Sequence, residues 1–194
     1  MIKIFKILNG YSKPSKDGFI QEAAAGFSVD YTSQYGQVGK SRTWGGFPPA
    51  WVNLQWWMLI SFDTSFLGNK ILQEVVFRFF RILSGTHDVE IGLYLAHDII
   101  SDPLAIGDEM NFNEKITGFM MKEYSDTDKV YEVKIDPAKI NLKGYTDFLF
   151  KPEWGFVDNW ADFWSIATNE NDDVIKRPLL ELKCSYDTTI AKGE

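Results

Sequence analysis

Cysteine is almost absent. Cys184 is the only one in 194 residues, so no disulfide can close within the chain and the fold must rest on its core. Cys184 falls on the same side of its segment as Leu180 and Leu182, which reads as a small buried hydrophobe rather than a nucleophile. Histidine is scarce too. His87 and His97 stand too far apart for a helical metal pair, and no further zinc ligands accompany them. Basic clusters are missing: the formal net charge is −7 and the lysines are scattered, which argues against a nucleic-acid partner, since a polyanion is bound by a basic surface. No run approaches the roughly 20 apolar residues that cross a bilayer as a helix. At the N-terminus Lys3 and Lys6 interrupt the apolar residues and no small-residue cleavage site follows, so no export signal is expected. Helical periodicity is lacking as well, and Ala23-Ala24-Ala25-Gly26 is too short to hold a helix. There is no internal repeat, no G-x-S-x-G, no H-E-x-x-H and no P-loop. Gly36-Gln37-Val38-Gly39-Lys40-Ser41 matches only the end of a phosphate-binding loop, without its leading glycine or a following helix pattern.

What the chain has is apolar and aromatic material, 45% and 15% of its residues, enough for one core in one domain of moderate size. The richest stretch is Val52 to Phe80. Val52, Leu54, Trp56, Met58, Ile60 and Phe62 alternate with Asn53, Gln55, Trp57, Leu59 and Ser61, giving a strand with one apolar face and one mixed face. Asp63-Thr64-Ser65 and Gly68-Asn69-Lys70 supply turn chemistry, and Ile71 to Leu83 is rich in β-branched and aromatic residues. Alternation recurs at Val89, Ile91, Leu93 and Leu95, at Tyr131, Val133 and Ile135, at Thr146, Phe148 and Phe150, and at Leu180, Leu182 and Cys184. Gly36 to Gly46 reads as a glycine-rich loop, and His97 to Lys115 as a long acidic loop of the kind that is functional or mobile. The expected architecture is all-β: an antiparallel β-sandwich of the jelly-roll kind with about ten strands and little helix. The expected divisions are 1–16, an N-terminal strand and linker; 17–186, the sandwich; and 187–194, a polar tail.

The aromatic residues pose the functional question. Trp56 is assigned to the core by its face. Trp44, Trp51, Trp57, Tyr94, Trp154 and Trp160 are the candidates for an aromatic binding surface or interface, because flat rings with an N–H or O–H suit both sugars and protein partners. Trp51 and Trp57 share the mixed face of the central strand, which is too apolar for solvent if nothing covers it. Glu153, Asp158 and Asp162 lie beside tryptophans and could supply paired acids for glycoside hydrolysis, but a chain with 27 acidic residues places such groups on any solvated surface, and no catalytic residue is assigned. No cofactor is expected. Calcium is the one alternative, with Asp98, Asp102 and Asp108, beside Glu109, in a single loop of hard oxygen donors without EF-hand spacing.

One family shares the order of these pieces. Asp17-Gly18-Phe19-Ile20 is followed by Tyr35-Gly36-Gln37-Val38-Gly39-Lys40, then Leu59-Ile60-Ser61-Phe62-Asp63, then Ile71 to Phe80, and finally Arg177-Pro178-Leu179-Leu180-Glu181-Leu182. This resembles the DNRLRE-type domains and related jelly-roll carbohydrate-binding modules over residues 17–186, with Tyr186 two positions later than in their closing motif. The resemblance implies a jelly roll and binding at an extracellular or particle surface, without catalysis. With no export signal in view, the leading expectation is a structural or attachment component of a phage-type virus particle, which would place it in a virion or on an extracellular particle. Its partners would be other structural proteins or further copies of itself, and it would neither bind nucleic acid nor span a membrane. The alternative is a polysaccharide-binding module, and the third reading is a polysaccharide-degrading enzyme.

Overall fold

The computed structural model describes residues 3–23, 26–45, 50–83, 89–120, 128–153 and 161–187. The described residues form an antiparallel β structure with no α-helix. Its strands are β1 (Lys3–Tyr11), β2 (Gly18–Ala23), β3 (Gly26–Asp30), β4 (Tyr35–Gly45), β5 (Ala50–Asp63), β6 (Ile71–Leu83), β7 (Glu90–His97), β8 (Glu114–Met120), β9 (Lys129–Ile135), β10 (Tyr145–Pro152), β11 (Ala161–Ala167) and β12 (Leu179–Asp187). Short 3-10 turns at Pro14–Lys16, Ser65–Leu67, Asp108–Asn111 and Pro137–Lys139 connect them.

The strands belong to one 12-stranded sheet in the order β1-β12-β6-β11-β4-β5-β10-β7-β8, which folds back on itself as a sandwich. β9 adds to the free side of β6, and β2 to the side of β5 opposite β4 and β10, with β3 beyond it. β1 pairs with β12 along its whole length, so the N-terminal strand is part of this sheet and runs on through Asn9 and Gly10.

The long period-two segments meet as their alternation requires. Met58, Ile60 and Phe62 of β5 face Phe77 and Phe79 of β6, Phe148 and Phe150 of β10, Leu93 and Leu95 of β7, and Leu180, Leu182 and Cys184 of β12 in one buried cluster. Phe77 stacks on Phe148 with centroids 4.3 Å apart, and Phe62 meets both rings edge-on at 5.7 and 5.8 Å. Such ring pairs contribute about 0.5–1.5 kcal/mol beyond the area they bury. Trp164, buried completely, closes this core beside Tyr131 and Phe119.

A second apolar layer lies on the opposite face of β5 and β10. Trp57 and Leu59 of β5, Leu149 of β10 and Ile20 of β2 are covered by Ile100, Leu104 and Phe112. This corrects the expectation for Trp57: it is 8% exposed, packed beneath the segment after β7 rather than offered to a partner. The physical reason is that the mixed face is itself too apolar to be left in water, and the acidic segment 98–113 carries enough apolar residues to seal it.

The glycine-rich stretch read as a loop is strand β4. A Cβ on Gly36 would stand 2.7 Å from Cγ and Sδ of Met58, so the glycine is there for close passage over the β5 side chain, not for a turn. Replacing Gly36 with Val should destabilise the fold by about 1–3 kcal/mol through overpacking against Met58. The measurement is the urea unfolding midpoint, and a companion Met58→Ala change should restore part of the loss.

Candidate functional site

The grooves found among the described residues are shallow and open to solvent, so the surface is judged by what it exposes. Among the described residues, exposed aromatic rings gather at and beside β3, with Phe66 apart on the turn after β5. Phe27 and Tyr31 are 47% and 37% exposed, on and just after an edge strand that pairs only with β2 among the described residues, and Tyr35, 43% exposed, opens β4 beyond the turn. An edge strand leaves one row of backbone N–H and C=O groups without a ladder partner. The turn that follows is stiff. Asp30 Oδ1 accepts from the N–H of Thr32 at 2.9 Å and of Ser33 at 3.0 Å, and Oδ2 accepts from the Ser33 hydroxyl. Partial burial works to raise the Asp30 pKa, but these Ser33 and Thr32 donors outweigh it and hold the carboxyl below its ordinary value. Beside this edge lies a shallow groove of about 490 Å³, whose lining includes Phe19, Gln21, Asp30, Tyr31 and Thr32. The sequence analysis singled out neither Phe27 nor Tyr31, and it is the pairing order that shows no described strand beyond β3.

Tyr94 sits elsewhere, in a half-buried polar network on β7, β8 and β10. Its hydroxyl donates to Glu153 Oε1. Lys115 Nζ donates to Glu153 Oε2 at 2.8 Å and to Glu90 Oε1 at 2.9 Å, and Lys151 lies 5.7 Å from the Tyr94 ring centre. Gly92 makes room for it: a Cβ there would come within 2.7 Å of the Tyr94 ring and closer still to the Glu153 carboxylate. Burial works to raise the Glu153 pKa, but the hydrogen bonds from Lys115 and Tyr94 outweigh it and keep the carboxyl below its ordinary value. Glu153 is therefore held as an anion with its oxygens occupied, which is the wrong state for a general acid at neutral pH. Of the acids considered for glycoside hydrolysis, Glu153 serves this network, Asp158 lies outside the described residues, and Asp162 has its backbone placed opposite Lys40 in the β4–β11 ladder.

Trp44 and Trp51 are directly paired in the β4–β5 ladder, with their side chains outside what is described. Trp154 and Trp160 lie outside the described residues. The acids considered for calcium are each engaged locally. Asp98 accepts from Tyr145 N at 2.7 Å and Asn141 Nδ2 at 2.6 Å. Asp102 pairs with Lys13 and accepts from the Ser15 hydroxyl at 2.6 Å. Asp108 accepts from Ser101 N and Oγ and from Ala105 N, all at 2.9 Å. No group of three His, Cys, Asp or Glu side chains converges among the described residues. These aspartates fasten the covering segment to its surroundings.

No family model matches the chain, and no curated protein matches it at a significant level.

The Tyr94 network makes a titration prediction. Burial first, then the hydrogen bond and charge of Glu153, push the phenol up to about 12. A pKa raised in the folded state gives stability that is whole below the unfolded value near 10 and is lost as pH climbs from there through about 12. In ultraviolet titration, the difference between the parent and Tyr94→Phe should isolate a late-ionising tyrosine. Glu153→Gln should bring that step down toward pH 10.

Proposed function

We propose that the chain is a non-catalytic binding or assembly module, a structural or attachment component of a phage-type virus particle that docks on neighbouring structural proteins, further copies of itself included. The observation that carries this reading is the aromatic edge at β3, where Phe27 and Tyr31 stand exposed on and just after a strand paired only with β2 among the described residues, with Tyr35 exposed at the start of β4. Aromatic rings supply the anchors of protein interfaces, and a bare strand edge supplies a ladder for another chain to join. Such an edge is an aggregation hazard in a free monomer, so a partner that covers it in the assembled state accounts for its survival. The apolar sheet face, by contrast, is already spent on the covering segment. The resemblance to DNRLRE-type and related jelly-roll modules points the same way, toward binding at a surface without chemistry.

Polysaccharide binding is the second reading, favoured by the groove in which Tyr31 stands beside Gln21, Asp30 and Thr32, a ring next to groups that can hydrogen-bond sugar hydroxyls. Hydrolysis is the weakest of the three, because Glu153 is held ionised and occupied.

Light scattering after size exclusion decides between them. The assembly reading expects masses above the 22.3 kDa monomer that grow with concentration, and a return to monomer in a Phe27→Lys, Tyr31→Lys double variant. A strictly monomeric parent that joins no larger assembly contradicts it. Retention of that monomer on a polysaccharide affinity gel, lost on Tyr31→Ala, would establish the second reading instead.

A further inference from the structure

Among the described residues β1, β3, β8 and β9 each pair with a single neighbouring strand. Three of these edges carry the charges that keep an open strand from joining another chain. β1 has Lys3 and Lys6, β8 has Glu114 and Lys115, and β9 has Lys129, Glu132 and Lys134. In β3 the charged residue is Asp30, and its carboxylate is turned back onto the N–H groups of Thr32 and Ser33. Proline, another common guard of strand edges, does not occur in it. The apolar side of β3 belongs to a larger layer. Val29, opposite Ile20 of β2, packs against the cluster that holds Ile20, Trp57 and Leu59. Phe27 lies two residues back on the same face and is 47% exposed, so this layer ends at β3 with an aromatic ring in water.

We propose that β3 pairs antiparallel with β3 of a second copy of this chain, about a two-fold axis through Ser28. The proposal rests on the assembly reading and gives that reading its partner and register. The strand Gly26–Asp30 is complementary to its own reverse. With Ser28, its middle residue, facing Ser28 of the second copy, Phe27 falls opposite Val29 and Gly26 opposite Asp30. Aromatic rings facing β-branched side chains are favourable cross-strand pairs, and the symmetry makes two of them. Each Asp30 meets a residue without a side chain, where even a Cβ would touch nothing within 4 Å. The two Asp30 carboxylates stand at opposite ends of the ladder, so like charges do not face each other. A two-fold axis normal to the sheet keeps both Phe27–Val29 pairs on the face of Ile20, and the second apolar layers of the two copies become continuous. A different protein could use the bare edge, but this match of the strand to its own reverse favours a copy. Five residues bury little surface, and interfaces under about 1,200 Å² belong to weak contacts, so the pairing is concentration-dependent in the free chain.

The test is disulfide trapping in the full chain. Directly opposed residues of an antiparallel pair have Cα atoms about 4.5–5.5 Å apart, within reach of a disulfide. Ser28 is exposed and the native Cys184 is buried, so Ser28→Cys presents one accessible thiol per chain. With diamide as oxidant it should give a covalent dimer, twice the 22.3 kDa monomer, roughly tenfold or more faster than Lys134→Cys, whose side chain on the charged β9 edge is 83% exposed. Adding Phe27→Lys should return Ser28→Cys to the control rate. In the parent, hydrogen exchange at the β3 amides that do not bond to β2 should slow as the chain is concentrated. A parent that assembles while Ser28→Cys cross-links no faster than Lys134→Cys overturns the two-fold pairing and leaves the assembly reading standing, with another surface or a different partner as the contact. A parent that stays monomeric, with β3 exchange independent of concentration, overturns both.

Discussion

The placement of segment 98–113 depends on one buried carboxylate. Asp147, completely buried on β10, accepts from the Ser61 hydroxyl through Oδ1 and from Ile99 N at 2.6 Å and Ile100 N at 3.2 Å through Oδ2. The same acid thus ties β5 to β10 and draws the first turn of the segment down onto the sheet. Lys16 Nζ takes the carbonyl of Ile100 and lies over the Tyr145 ring at 4.0 Å, and Leu104 N donates to Ser15 O at 2.9 Å. Burial raises the Asp147 pKa despite its donors, so the ionised group is maintained at a net cost. What it contributes is position: without it the buried Ile100 N–H and the half-buried Ile99 N–H lose their acceptor, at about 1–3 kcal/mol for the buried group and less for the other.

That anchorage decides what surface is left for function. With the segment seated, Trp57, Leu59 and Leu149 belong to the interior, and the sheet face cannot serve as an aromatic platform. Among the described residues, exposed rings are then found at and beside the β3 edge, in Phe27, Tyr31 and Tyr35, and separately at Phe66. The binding reading therefore moves from the middle of the sheet to its rim, and from tryptophan to phenylalanine and tyrosine.

Much of the fold was legible in the sequence. The alternating segments around Phe62, Phe77, Leu93, Phe148 and Leu182 turn inward as their period requires, and Cys184 and Trp56 are buried as their faces imply. What was not legible turns on partners distant in sequence. Gly36 looks like a loop glycine until Met58 lies across it, and Trp57 looks available until Ile100, Leu104 and Phe112 arrive from beyond β7. The aspartates Asp98, Asp102 and Asp108 advertise oxygen chemistry, but their local partners Tyr145, Lys13 and Ser101 consume it.

Hydrogen exchange at the backbone N–H groups of Ile99 and Ile100 tests the sealed face most directly. The account predicts protection in the parent approaching that of Leu59 in β5, and a loss of roughly tenfold or more at both amides in Asp147→Ala while Phe77 keeps its protection. Rapid exchange of Ile99 and Ile100 in the parent protein itself would contradict it, and would return Trp57 to the surface.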